Sequence, residues 1–259
     1  MNKLLISAIV VTYNEGKFLD QCLSKLHFVD ELVVVDLGST DRSIEIAKKY
    51  ATTLISHKKV PCVEEVLSKF APKLKNNWII HIDPDETLDE GLIQEIEKKM
   101  KDPVAIIEVP WIFYFKKKRL RNTIWGGVKY KRIIFNRDRV VFNDIVHDGA
   151  QIIDGIKTTI RSDHALHHYW MESYNQLIEK HKRYIMAEGE KRFLNKEKYS
   201  FLKKFYESSK ALGGNLFYYK GILGGPRDWF LSFFYAWYVW ESNNSLKRYE
   251  DEISNKANR

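Results

Sequence analysis

Short apolar runs and longer amphipathic ones alternate through the first hundred residues. "LLISAIVV" and "ELVVVD" are β-branched and nearly all apolar, the composition of strands covered on both faces. Between them, "GKFLDQCLSKLHF" sets Phe18, Leu19, Cys22, Leu23 and Leu26 at helical spacing. A second helix is expected to open at "STDRSIEIAKKY", where Ser39, Thr40 or Asp41 can cap free backbone N–H groups. "TTLIS", a helix over 62–75 and the strand "WIIHID" continue the alternation, which predicts a parallel, right-handed α/β sheet. The opening "MNKLLISAIVV" has the charge and apolarity of a secretory leader. No small-residue cleavage site follows and the run passes directly into Thr12, Tyr13, Asn14 and Glu15, so it reads as a buried first strand.

From about residue 104 the pattern changes. "VAIIEVPWIFYF" and "KRIIFNRDRVVF" read as further strands, and the basic, aromatic "KKKRLRNTIWGGVKY" between them suits a mobile or substrate-facing loop better than a core. Beyond residue 170 the chain reads as helix, with Gly213-Gly214 and Gly224-Gly225 flanking "NLFYYKGIL".

In open α/β sheets ligands bind at the carboxyl ends of the strands. Three of those ends carry polar clusters here: "TYNE", "DLGSTD" and "DPDE". The third is the most demanding, because five carboxylates fall between Asp83 and Glu90 directly after an apolar strand and call for a positive partner. With Pro84 fixing the turn between them, one of Asp83 and Asp85 can hold a ribose hydroxyl and the other a hard divalent cation such as Mg²⁺ or Mn²⁺. The plainer reading makes Asp85 or Thr87 the cap of a helix beginning near Leu88. "TYNE" can likewise be a strand-to-helix turn, and "DLGST" a helix cap with Gly38 at positive φ.

"AIVVTYNEGKFLDQCLSKL", "VVVDLGSTDRSIEIAKKY" and "WIIHIDPDETLDEGLIQEI", in that order and at those separations, closely resemble the nucleotide-binding half of glycosyltransferase family 2, inverting enzymes of the GT-A fold. "YKRIIFNRDRVVFNDIVHDG" and "HHYWMESYNQLIEKHKRY" resemble, more loosely, the bacterial lipopolysaccharide core β-glucosyltransferases. The resemblance implies an α/β GT-A (Rossmann-like) mixed sheet flanked by helices, with a helical, aromatic-rich C-terminal region. It divides the chain into a nucleotide-sugar half at 1–110, an acceptor half with the base at 111–168 and a helical extension at 169–259. Carried over by residue, it implies a base pocket lined by Thr12, Tyr13 and Glu15, and Asp36 bonded to the pyrimidine. Asp83 would meet the ribose, and Asp85, with His168, the metal. Asp148 of "VHDG" would be the base that deprotonates the acceptor, with His147 orienting it. For the diphosphate, the helix before the metal motif offers Lys69 where the family often places Arg or Asn, and Arg132 and Arg137, flanking the acceptor strand, are the alternative cations. The sequence departs from the family pattern at Leu37, usually Ser or Asn, and at Asp148, more often Glu.

The remaining composition narrows the class. With 259 residues, 44% hydrophobic, the chain is long enough for a full core. Two cysteines forty residues apart make neither a zinc cluster nor a disulfide framework and suit a reducing compartment. A net charge of +8 points to an anionic partner: a phosphate-bearing substrate, a membrane surface or a nucleic acid. "DWFLSFFYAWYVW", residues 228–240, holds eight aromatics and is too short to span a bilayer. It is read as a peripheral membrane contact on the cytoplasmic face, against a core helix or a homodimer interface. The expected function is transfer of a sugar from a nucleotide-sugar, a UDP-sugar by resemblance, to a glycan, lipopolysaccharide or lipid-linked acceptor. The alternatives are a sugar nucleotidyltransferase, disfavoured because a glycine-rich triphosphate loop is absent, and a basic nucleic-acid-binding protein, which leaves the strand-end carboxylates unexplained. No nucleic-acid partner is therefore expected.

Overall fold

The computed structural model describes residues 3–60, 62–143 and 150–257. The chain forms two compact units, Met1–Ile112 with Val128–His168, and Phe113–Gly127 with Tyr169–Arg259.

The first unit is built on a mixed sheet. β1 (Leu4–Thr12), β2 (Val29–Asp36), β3 (Thr53–Ser56) and β4 (Trp78–His81) alternate with α1 (Gly16–Ser24), α2 (Ser43–Tyr50) and α3 (Val63–Phe70). After a turn come β5 (Glu86–Leu88), α4 (Glu90–Lys99), β6 (Val104–Phe115), the two-residue β7 (Lys118–Arg119), β8 (Lys129–Asn136), β9 (Val140–Phe142), β10 (Ala150–Ile152), β11 (Ile156–Thr159) and β12 (Leu166–Met171). The strand order is β3-β2-β1-β4-β8-β6-β12-β5, with β11 beside β6. The four strands joined by helices are parallel, as alternation predicts. Beyond β4 the sheet is mixed: β8 runs antiparallel to β4 and β6, while β11 lies parallel to β6.

The alternation of side chains along β1 explains the layers. Ile6, Ala8 and Val10 pack with Leu19, Leu23, Leu92 and Ile96 from α1 and α4 on one face. Ile9 and Val11, with Val33, Val35 and Ile79, pack on Val66 and Leu67 of α3 on the other. Both faces are covered, so the strands are apolar throughout. The register sets Thr12 of β1 opposite Asp36 of β2, and Ile9 opposite His81 of β4. The polar clusters thus leave the sheet along one edge.

The second unit holds α5 (Tyr174–Leu194), α6 (Phe201–Gly213) and the 32-residue α7 (Pro226–Ala257), which packs against both. In the segment 116–130, expected as a mobile or substrate-facing loop, residues 116–119 and Arg121 are exposed, but the middle is packed. Leu120 and Thr123 are fully buried, the Trp125 ring lies tilted against Trp170 with centroids 4.8 Å apart, and the Ile124 amide donates to Asn215 Oδ1 at 2.8 Å. Its aromatic residues need cover, and the helical unit provides it. The aromatic run 228–240 likewise divides: Phe234 is buried and Phe230, Tyr235, Tyr238 and Trp240 are half-buried, while Trp229, Phe233 and Trp237 are exposed at spacing four on one stripe of α7. Among the described residues, no helix is long and apolar enough to cross a membrane.

Candidate functional site

Two strand-end loops are sewn together before the carboxylates are reached. Asn14 takes a left-handed φ of 56°, which lets its amide donate to Ser39 Oγ at 2.9 Å while its Oδ1 accepts from the Thr40 amide at 2.7 Å. The amides of Glu15 and Gly16 donate to Ser43 Oγ and Asp41 Oδ2. Asp41 also accepts from the Ser43 amide at the start of α2, whose capping position is Arg42, one residue beyond the expected Ser39, Thr40 or Asp41. "TYNE" and "GSTD" therefore act as one rigid lip.

Asp36 is buried inside that lip, and its carboxylate accepts from the amides of Gly38 and Ser39 at 3.0 and 3.1 Å. Its first task is to hold the loop in which Gly38 sits at φ 87°. Thr12 Oγ1 is buried with no hydrogen-bond partner among the described residues. Tyr13 is exposed, with the Lys59 ammonium 3.9 Å from its ring centroid. Lys69 Nζ lies 2.8 Å from Nε2 of His57, whose amide donates to the Asp36 carbonyl.

The carboxylates after β4 meet a cation from the protein itself. Lys131 on β8 reaches across to Asp83 Oδ2 at 2.6 Å and to both oxygens of Glu86 at 2.7 Å. Glu86 is fully buried, and its Oε1 also accepts from the Trp111 indole N–H at 2.8 Å. Burial alone would push the Asp83 carboxyl up, but the Lys131 charge and the neighbouring His81 hold it well below the usual carboxylate range. Burial wins at Glu86, whose carboxyl is raised. Lys131 stays charged: burial works against its ammonium, and the two carboxylates more than offset that.

Asp85 points elsewhere. Its Oδ2 lies 3.1 Å from His168 Nε2, and the His168 ring stacks on Trp111 at 5.1 Å and 6° between planes. Trp111 therefore touches both halves of the cluster, bonding Glu86 by its edge and supporting His168 by its face. Farther along, Asp89 accepts from the Ala165 amide and meets His167 Nε2 at 2.9 Å. The helix-cap reading of Asp85 and Thr87 is corrected here, because β5 occupies 86–88 and α4 begins only at Glu90.

The other sequence-predicted residues fall at different places. Arg137 lies at the opposite end of β4 from Asp83, where Nη1 donates to the Leu74 carbonyl and Nη2 to Asn77 Oδ1 at 2.7 Å. That position removes it from the site. Arg132 is exposed on β8, one residue from Lys131 and so on the other face of the strand. His147 and Asp148 lie outside the described residues. Lys131, Glu86, Trp111 and His81 were not singled out from the sequence. A signal for the lysine existed, since in "KYKRIIF" it shares a face with the buried Ile133, a costly place for a cation without a partner.

Asp85 and His168 fit a divalent cation as far as their chemistry goes. A carboxylate oxygen and an imidazole nitrogen suit Mn²⁺ or Mg²⁺, and two ligands ~2.1 Å from one ion at right angles stand about 3.0 Å apart. Among the described residues no group of three His, Cys, Asp or Glu side chains could hold a metal.

The family model for glycosyl transferase family 2 matches residues 7–153, more than half of the chain. The chain belongs to glycosyltransferase family 2. Its helix-flanked mixed sheet is the GT-A architecture that its motifs imply. An uncharacterized glycosyltransferase of Rickettsia bellii is 28% identical over 70% of this chain and 66% of its own length. The lipopolysaccharide core biosynthesis glycosyltransferase LpsC of Rhizobium meliloti is 34% identical over 35% of each. Other Rickettsia relatives are matched over 36% and 32% of their length, so the chain spans less than two thirds of the curated relatives it matches. Among solved structures, TarS 1-349 of S. aureus overlaps 65% of this chain and 60% of its own at 14% identity and TM-score 0.43. Glucosyl-3-phosphoglycerate synthase of Mycobacterium tuberculosis, in complex with Mn²⁺, UDP and glucosyl-3-phosphoglycerate, overlaps 41% and 43% at 20% identity and TM-score 0.35.

Proposed function

We propose that the chain is an inverting glycosyltransferase that takes a sugar from a nucleotide donor, a UDP-sugar, and delivers it to a cell-surface glycan, lipopolysaccharide or lipid-linked oligosaccharide at the cytoplasmic face of the membrane. The observation that carries this reading is the convergence of Thr12, Asp36 and the Asp83–Asp85 turn on the carboxyl edge of parallel strands in a family 2 chain. The name of the Rhizobium relative supports the acceptor class.

In this reading the lip made by "TYNE" and "GSTD" receives the base, with Tyr13 and Glu15 beside it and Asp36 fixing its shape. Asp83 is held ionised by Lys131 and so accepts hydrogen bonds from ribose hydroxyls. Lys69, on the same side as the Asp36 carbonyl through His57, supplies positive charge for the diphosphate. Asp85 and His168 would hold Mn²⁺ or Mg²⁺. Bound there, the cation would neutralise the departing diphosphate. Trp111 and Lys131 fix the carboxylates on either side, so little reorganisation is needed when donor arrives.

Asp148 is the proposed base, taking the acceptor proton as the hydroxyl attacks the sugar from the face opposite the diphosphate. The test is Asp148→Asn, assayed separately for donor binding and transfer. Donor affinity should stay within about twofold while transfer falls by about 10²–10⁴. Transfer at the unmodified rate would move the base elsewhere.

A further inference from the structure

The turn after α6 presents apolar side chains to solvent on a scaffold that cannot easily fold them away. Phe217 is 68% exposed, Tyr218 81% and Leu223 77%, with Ile222 also exposed. The backbone beneath them is pinned at four points. Asn215 is buried, donating to the Ala211 carbonyl and accepting from the Ile124 amide. Lys220 takes a left-handed φ of 57°, which turns the chain sharply between the two exposed pairs. Gly221 sits so close to Ser232 Oγ and the Asn215 carbonyl that a Cβ would lie 2.6 and 2.7 Å from them. The Trp229 indole donates to the Ile222 carbonyl at 2.9 Å, which attaches this turn to the exposed Trp229 and Phe233 stripe of α7. The result is a preformed apolar wedge, rigid in backbone and open in side chain.

Charge decides what it fits. Between Glu207 and Asp228 there is no acidic residue, while Lys210 and Lys220 stand within the segment and Lys220 is exposed at its tip. Asp228 is buried and neutralised by Arg227 at 2.7 Å. A second copy would bring two equally basic turns together, in a protein already at +8. Apolar residues with tyrosine and tryptophan at their margin and lysine at the rim match the boundary between headgroups and acyl chains of an anionic bilayer. We infer that residues 217–223, with Trp229 and Phe233, form a wedge that docks this protein on an anionic lipid surface, without spanning it. The inference moves the membrane contact from the whole of 228–240 to this turn and one stripe of α7, and it stands whatever the donor proves to be.

The experiment is co-sedimentation of the full chain with vesicles of phosphatidylcholine alone or mixed with phosphatidylglycerol. The unmodified protein should sediment with the mixed vesicles and much less with the neutral ones. Phe217→Ser with Leu223→Ser should weaken partitioning by about tenfold or more, and Lys220→Glu should weaken it most at low salt. All three positions are solvent-exposed, and unchanged thermal melts will separate lost docking from lost fold. Equal partitioning of variant and unmodified protein would overturn the inference. So would sedimentation with neither vesicle, or a dimer in solution that the double variant dissociates.

Discussion

Lys131 is the residue on which the acidic turn depends. It bridges Asp83 and the fully buried Glu86, so truncating it strands a carboxylate that cannot reach water. Lys131→Met should cost about 3–5 kcal/mol at neutral pH in denaturant titrations, the usual consequence of breaking a buried pair from one side. A loss under about 1 kcal/mol would mean the turn finds another counter-charge. Thr12 makes the opposite case. Its buried Oγ1 has no partner among the described residues, so Thr12→Val should leave the melting temperature unchanged or raise it. A marked fall would reveal a bond to that hydroxyl. His181 contributes a pH dependence to the helical unit. Burial lowers its pKa, and its ring sits 4.9 Å from Phe234 and 5.2 Å from Tyr238. The folded state thus prefers the neutral ring, while the unfolded chain takes up a proton near the ordinary value of 6.5. Stability is full above that value and declines as pH falls below it. His181→Phe should flatten that decline in melts recorded from neutral pH downward.

The elements differ in how much of their placement could be read in advance. The β1–α1–β2–α2–β3 alternation is legible because strands covered on both faces must be apolar throughout and their helices amphipathic, and the three polar strand ends follow from it. What periodicity misses is contact across the sheet. β8 runs antiparallel to β4, and that neighbour relation carries Lys131 to Asp83. Trp111 and His168 lie more than fifty residues apart in sequence and meet only because β6 and β12 share the sheet. At 116–130 basic composition points to solvent, and residues 116–119 do reach it, while Leu120 is buried and Trp125 packs against Trp170. At this scale the lip made by Asn14 and Ser39 is open to test. Ser39→Ala removes one loop-to-loop acceptor, and its expected cost is about 1 kcal/mol with weaker nucleotide binding, read by denaturation and calorimetry.

For the molecule as a whole, the family is fixed by residues 7–153, and the proposed chemistry rests on the carboxyl edge of the parallel strands. The internal lysine settles part of the charge at that edge, and in the proposed function Asp85 beside His168 would meet the donor's cation. Net basicity of +8 would favour the approach of the proposed anionic donor and, through the inferred wedge, of an anionic surface. The most direct measurement is calorimetric titration of the full chain with UDP, with and without Mn²⁺, repeated on Asp85→Asn. Binding that requires Mn²⁺ in the unmodified protein and is lost in the variant, with the fold intact by circular dichroism, is the predicted result. Absence of UDP binding by the folded protein under both conditions, or binding indifferent to Mn²⁺ and to Asp85, would contradict the account.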